Sequence, residues 1–161
     1  MSMDQILDTI RSFEGVVELA PAVGSEFPEI SWGDHFFYYS PDGTIPQNVQ
    51  PYATIVTKDY PDDDRSNLNP DDRWRLNIHV GPARFTELTG VTPRDFGAGD
   101  RSGRDFGEAD LIMPHPVYGS LGWVAVVNPG ARTLVTVADL LRAAHEDDRR
   151  RVQRRSQNRK G

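Results

Sequence analysis

The chain has 161 residues, enough to bury one hydrophobic core as a single domain. Its composition, 37% hydrophobic and 26% charged, is typical of a soluble globular protein, and no apolar run approaches the ~20 residues that a membrane span needs. The absence of cysteine excludes disulfides, thiolate metal sites and cysteine nucleophiles. No basic and then apolar leader opens the sequence and no Asn-x-Ser/Thr sequon occurs, so we expect a cytoplasmic protein.

Charge is distributed unevenly along the chain. Residues 149–161 contain seven Lys or Arg and no acid, which leaves 11 basic and 24 acidic residues, a net charge of −13, in residues 1–148. Nucleic-acid binding draws most of its affinity from cationic contacts, so we expect no nucleic-acid binding by this acidic body. The sequence predicts a single domain over 1–148 and a basic, disordered tail over 149–161.

The first half of the chain predicts one helix and then short strands. Ser2 and Gln5 have the spacing of a capping box, and a stripe of apolar residues leads from there to Gly15. Runs of β-branched and aromatic residues predict strands at 16–20, 30–32, 35–39 and 52–58. The helical stripe consists of Ile6, Leu7, Ile10 and Phe13.

Residues 73–80 alternate without a break between apolar and polar side chains. In a strand this period of two places the sets on opposite faces, one buried and one open to water. The preceding loop, 59–72, contains six Asp. The apolar set is Trp74, Leu76, Ile78 and Val80, and the polar set is Arg73, Arg75, Asn77 and His79.

The second half predicts two more helices and two strands. Gly81 and Pro82 begin a short helix that ends at Gly90. Residues 91–109 are expected to form a surface loop held by Phe96 and Phe106, and strands are expected at 110–113 and 122–127.

The last helix is expected to begin at a Thr136 cap and to leave the body beyond residue 144. Its buried stripe is Val137, Leu140, Leu141 and Ala144. The order of elements predicts an α+β fold, a two-layer sandwich with a largely antiparallel sheet of five to seven strands. The N- and C-terminal helices would cover one sheet face and leave the other in water.

Catalytic and cofactor motifs are missing from the sequence. The glycine-rich run at 97–103 fits neither a dinucleotide fingerprint nor a P-loop, and no nucleophile elbow or His-Glu-x-x-His motif occurs. We therefore assign no catalytic residue, no cofactor and no metal ligand. A three-nitrogen metal site would need His35, His79 and His115 to converge, and the alternative is three separate histidines. His145 is expected to be solvated.

The candidate ligand-binding residues are Arg75, Asn77 and His79 on the polar strand face, together with His115. A guanidinium beside an amide and an imidazole suits a carboxylate or phosphate group. The alternative is that Arg73 and Arg75 pair with the acidic loop and support the outer sheet face.

Three functions stay open at this point. The favoured one is a non-enzymatic binding module for an anionic small molecule or a protein segment. The second is an enzyme that uses His79 or His115 as general base, with or without a metal. The third is a protein-interaction subunit. The oligomeric state does not follow from the sequence.

Three runs carry a resemblance to known proteins: Ser31 to Asp34 with Phe36 to Tyr39, then Ala53 to Lys58, then Arg75 to His79. They resemble an uncharacterised actinobacterial family known as a domain of unknown function. More distantly, the layout resembles YjbR-like proteins, whose fold is of the CyaY/frataxin-like type. That resemblance implies a sandwich with helices on one face of the sheet.

Overall fold

The sheet has six strands, and every neighbouring pair is antiparallel. The computed structural model describes the backbone of residues 2–160 and the side chains of residues 2–157. The mixed α+β fold predicted from the sequence is confirmed. In spatial order the strands are β1 (Val16–Leu19), β2 (His35–Tyr39), β3 (Ala53–Val56), β4 (Arg75–His79), β6 (Trp123–Val127) and β5 (Met113–Pro114). The described helices of four or more residues are α1 (Met3–Arg11), α2 (Pro82–Thr89), α3 (Pro93–Ala98) and α4 (Leu134–Lys160).

The strand register divides the sheet into two faces. Leu76 of β4 lies between Ile55 and Val126 on one face, while Asn77 lies between Thr54 and Ala125 on the other. The first face forms the hydrophobic core with the apolar stripes of α1 and α4, as predicted. The buried stripe residues are Ile6, Leu7, Ile10, Val137, Leu140, Leu141 and Ala144.

Several segments differ from the sequence-based expectation. The strand expected at 110–113 is β5 at Met113–Pro114, so the two overlap only at Met113. Residues 30–32 were expected to be a strand, but Glu29–Ser31 is a 3-10 helix, in which the Ser31 hydroxyl donates to the Pro28 carbonyl at 2.7 Å. Such a local bond competes with strand pairing. Helix α3 lies inside the expected loop at 91–109, although Phe96 and Phe106 are buried as predicted.

The start of α4 is fixed by a residue from a distant segment. The predicted cap at Thr136 is wrong, because the helix begins at Leu134. Asp110 has a positive φ of 56° and turns its carboxylate toward this end of the helix. Its Oδ1 accepts from the backbone N–H of Gly130 at 2.8 Å, and its Oδ2 accepts from that of Arg132 at 2.9 Å. Its Oδ1 also accepts from the backbone N–H of Thr133, the residue just before the helix, at 3.1 Å. Asp110 therefore holds the turn that leads into α4 and satisfies one N–H at the end of the helix.

Helix α4 stays on the body beyond Ala144, contrary to the prediction that it leaves there. His145 and Asp148 are both buried, and the Asp148 carboxylate accepts from the Tyr39 backbone N–H at 2.9 Å. The helix then continues through the basic segment to Lys160. The division into a domain at 1–148 and a disordered tail at 149–161 stays a prediction.

Replacing Asp110 by Gly should lower the free energy of unfolding by about 1 kcal/mol, since the carboxylate is lost without straining a positive φ. Thr136→Ala is the matched control, because that exposed side chain caps nothing. Urea unfolding of both variants measures the difference. Equal losses in the two variants would contradict the assignment of Asp110 as the cap.

Candidate functional site

A pocket of about 530 Å³ lies on the sheet face opposite α1 and α4. Strands β2, β3, β4 and β6 form its floor, and its walls come from the loops before β3, after β3 and after β5. Most of the lining is apolar or aromatic. The apolar and aromatic lining residues are Phe36, Tyr38, Val49, Pro51, Val56, Tyr60, Tyr118, Leu121 and Trp123.

The polar part of the floor is centred on Arg75, which is only 1% exposed. Its Nε donates to Asn77 Oδ1 at 2.7 Å, and Asn77 Nδ2 donates in turn to the Thr54 hydroxyl at 2.9 Å. Its Nη1 and Nη2 donate to the two carboxylate oxygens of Asp63 at 2.9 and 2.5 Å. Nη1 also donates to the Ser66 hydroxyl at 3.0 Å. The positive charge is therefore compensated by a bidentate carboxylate.

The loop between β3 and β4 holds Asp63 in place. Residues 60 and 63 form an isolated antiparallel bridge, and Leu68 is buried against Val56 and Val127. Arg73 donates to the carbonyls of residues 66, 67 and 107, so the loop is tied to the body at its C-terminal end. Burial acts to raise the pKa of Asp63, but the hydrogen bonds and charge of Arg75 outweigh it and lower that pKa.

A second carboxylate, which is fully buried, holds one aromatic residue of the pocket lining. Asp34 is fully buried, and its Oδ1 accepts from the Thr57 backbone and hydroxyl and from Lys58 Nζ at 3.0 Å. Its Oδ2 accepts from the hydroxyl of Tyr60, which lines the pocket. The Tyr60 ring is therefore held at its hydroxyl end by a saturated polar cluster.

His115 is buried beside the guanidinium and has one defined neutral form. Its Nδ1 accepts from the backbone N–H groups of Val117 and Tyr118 at 3.1 and 3.0 Å, so the ring proton of the neutral imidazole is on Nε2. The opposite tautomer would leave two backbone donors without an acceptor. Burial and, second, the charge of Arg75 lower the pKa of His115 to about 3.

The structure brings together three of the four sequence-predicted site residues. Arg75, Asn77 and His115 all line the pocket. His79 does not, because it lies at the end of β4 with its ring 5.6 Å from that of Trp123, where burial and, second, Arg151 lower its pKa. The expectation that this strand face is open to water is wrong for Arg75 and Asn77, because the acidic loop and the pocket walls cover them.

The alternative prediction, that Arg73 and Arg75 pair with the acidic loop, agrees in part with the structure. Arg75 pairs with Asp63 of the acidic loop, and Arg73 binds the carbonyls of that loop. The sequence reasoning did not single out Asp63, because six aspartates occupy the loop and nothing local separates one from the others. The backbone bridge between residues 60 and 63 also has no signature in the sequence.

The histidines lie apart from one another. His35 contacts Glu18 at 2.6 Å, whereas His79 and His115 occupy the separate surroundings described above. Within the described residues, no group of three or more His, Cys, Asp or Glu is arranged to hold a metal. The prediction that His145 is solvated is wrong, because its ring is buried between the Tyr52 hydroxyl at 3.0 Å and the Glu14 carbonyl at 2.7 Å.

Comparison with protein families places the chain. A family model described as a family of unknown function, DUF6194, matches residues 1–157. The chain belongs to this family. No curated protein and no solved structure matches it. The resemblance to a domain of unknown function is thereby confirmed, and the pocket becomes a candidate site for a DUF6194 protein. Among the described residues, no helix has the length and apolar character needed to cross a membrane.

Asp63→Asn should lower the free energy of unfolding by about 3 kcal/mol, because it leaves a buried guanidinium without its counter-charge. Asp64→Asn is the control, since that neighbouring side chain is exposed and its loss should cost under about 0.5 kcal/mol. Chemical denaturation measures both. A small effect at residue 63 would mean that Arg75 does not depend on its carboxylate.

Stability should fall as the pH drops below about 6.5, the ordinary histidine pKa. The unfolded chain takes up a proton there, whereas folded His115 does not until pH about 3. The stability contributed by the neutral ring is therefore complete above pH 6.5 and is lost on the way down to pH 3. Between pH 6.5 and 4.5, His115→Asn should flatten the dependence of the unfolding free energy on pH, because about one proton fewer is taken up on unfolding. Urea unfolding at a series of pH values measures this slope. An unchanged slope would place the titration elsewhere.

Proposed function

We propose that this DUF6194 protein is a binding module that holds an uncharged small organic molecule with an apolar body in the pocket over β2, β3, β4 and β6. The observation that carries the proposal is a mostly apolar and aromatic lining whose one cation, Arg75, is compensated by Asp63. A volume of about 530 Å³ lies within the range of small-molecule sites. Apolar walls with a few fixed polar groups are the usual composition of such sites.

The charge of the pocket favours an uncharged ligand over the anionic one expected from the sequence. That expectation depended on a guanidinium available to the ligand, but Arg75 binds Asp63 through both terminal nitrogens. Asp62 also lines the pocket, and Arg75 is the only Lys or Arg in the described lining. A carboxylate or phosphate would therefore enter a site with no cation to compensate it.

Binding is favoured over acid–base catalysis by the state of the pocket histidine. A general base needs a free lone pair within reach of the proton that it removes. The Nδ1 lone pair of His115 accepts from two backbone N–H groups, and its Nε2 carries the proton. His79, the other general base considered, lies outside the pocket lining.

The mouth of the pocket gives a direct test. Leu121 lines the mouth and is 65% exposed, whereas Val135 is 74% exposed on the first turn of α4, outside the pocket lining. We expect ethylbenzene to shift the amide resonances of pocket residues in ¹⁵N-labelled protein, and Leu121→Glu to weaken this binding about fivefold through lost apolar contact. Val135→Glu, the matched control, should leave it unchanged.

Two results would count against the proposal. In one, ethylbenzene produces no shifts at the pocket. In the other, both glutamate variants weaken its binding equally, which would indicate a general effect of surface charge.

Three sequence expectations accompany this proposal. A cytoplasmic location is supported by the absence of cysteine. A distant relation to YjbR-like, CyaY-type proteins is supported by an antiparallel sheet with a helix at each end of the chain. An actinobacterial origin is supported by the prevalence of Arg over Lys. A protein segment as ligand would be recognised by the exposed side chains of Tyr118 and Leu121 at the pocket mouth.

A further inference from the structure

Two hydrogen-bond donors converge at one point of the pocket floor. Arg75 Nη2 and His115 Nε2 are 3.1 Å apart, and both residues line the pocket. A guanidinium nitrogen can only donate. Because His115 Nδ1 accepts two backbone N–H groups, Nε2 also carries a hydrogen, and the contact between the two nitrogens joins a donor to a donor.

The described residues supply no acceptor at this point. The carboxylate oxygen Asp63 Oδ2 lies 3.7 Å from His115 Nε2, beyond hydrogen-bond distance. That same oxygen is already bound by Arg75 Nη2. The N–H group on Nε donates to Asn77, and the two N–H groups on Nη1 donate to Asp63 and Ser66. A buried donor without an acceptor is costly, so this point favours an oxygen brought in from the pocket.

We propose that the ligand of this pocket carries a carbonyl-type oxygen that accepts jointly from Arg75 Nη2–H and His115 Nε2–H. The inference rests on the proposed function and specifies the chemical class of its ligand. One donor belongs to a charged group, which strengthens its bond to a neutral oxygen. A carboxylate gains less, because Asp63 already occupies both terminal nitrogens of the same guanidinium.

Other donors near this point are consistent with a ligand that has one polar end. The Thr54 hydroxyl accepts from Asn77, which leaves its own hydrogen available on the same strand face. Tyr38 and Trp123 also line the pocket, and they contribute a hydroxyl and an indole N–H. The lining as a whole is therefore mostly apolar and aromatic with several donors, which suits an aryl or alkyl amide or ketone.

The histidine allows a matched pair of variants. Asparagine at 115 places an oxygen near the position of Nδ1, so it keeps the backbone acceptor and removes the Nε2 donor. Glutamine places an amide N–H near the position of Nε2, so it keeps the donor and gives up the backbone acceptor. His115→Asn therefore tests the proposed bond, and His115→Gln is the conservative replacement.

The experiment is a set of NMR titrations of ¹⁵N-labelled protein with benzamide, benzoate and ethylbenzene. We expect the wild type to bind benzamide more tightly than either of the others. His115→Asn should weaken benzamide about fivefold, as expected for one hydrogen bond, and leave ethylbenzene within about twofold. His115→Gln should retain more of the benzamide affinity than His115→Asn.

The tautomer of His115 is a second measurement that needs no ligand. Long-range ¹H–¹⁵N correlation of the imidazole should report a proton on Nε2 and a bare Nδ1. A proton on Nδ1 would overturn the inference, because Nε2 would then accept from Arg75. Equal loss of benzamide and ethylbenzene in His115→Asn would also overturn it, since the residue would then act only through the shape of the pocket.

Failure of the underlying proposal would look different. If ethylbenzene binds and benzamide gains no advantage over it, the oxygen subsite is wrong and the apolar pocket stands. If no probe perturbs the pocket residues, both the binding function and the oxygen subsite fall.

Discussion

The guanidinium of Arg75 lies beneath the pocket at 1% exposure, where a positive charge without a counter-charge would be strongly destabilising. Its carboxylate partner comes from the loop between β3 and β4, so that loop must fold back over the sheet for the charge to be tolerated. Asp63 and Tyr60 arrive together through the bridge that joins them. One ion pair thus fixes the sheet face, the loop and one wall of the cavity at the same time.

The wall formed by the loop after β5 depends on the same guanidinium through an imidazole. His115 contacts the guanidinium on one side and accepts two backbone N–H groups on the other. Those N–H groups belong to the turn that leads into the 3-10 helix Gly119–Leu121, which carries the exposed apolar edge of the mouth. Two of the loops that enclose the cavity, those after β3 and after β5, are distant in sequence, yet both are oriented by contacts with Arg75 of β4.

Local periodicity predicted most of the layered architecture. The period of two at 73–80 identified a strand and its two faces, and the capping box at Ser2 is present as predicted. Long-range partners could not be predicted from periodicity. Asp110 accepts from the N–H of the residue before α4, which is 23 residues away, and His145 contacts the Tyr52 hydroxyl across 93 residues. From sequence alone, a polar side chain in the acidic loop or on α4 is expected to face solvent, because its partner is distant along the chain.

The two edges of the sheet are poorly suited to pair with a strand from another molecule. Strand β5 has only two residues, and one of them, Pro114, has no N–H to offer an incoming strand. At the other edge, β1 has four residues, and the carboxylate of its Glu18 is held by Arg11 and His35. Short edges that contain proline or charge are poor templates for strand addition. The antiparallel ladder therefore ends within each molecule, which disfavours edge-to-edge aggregation.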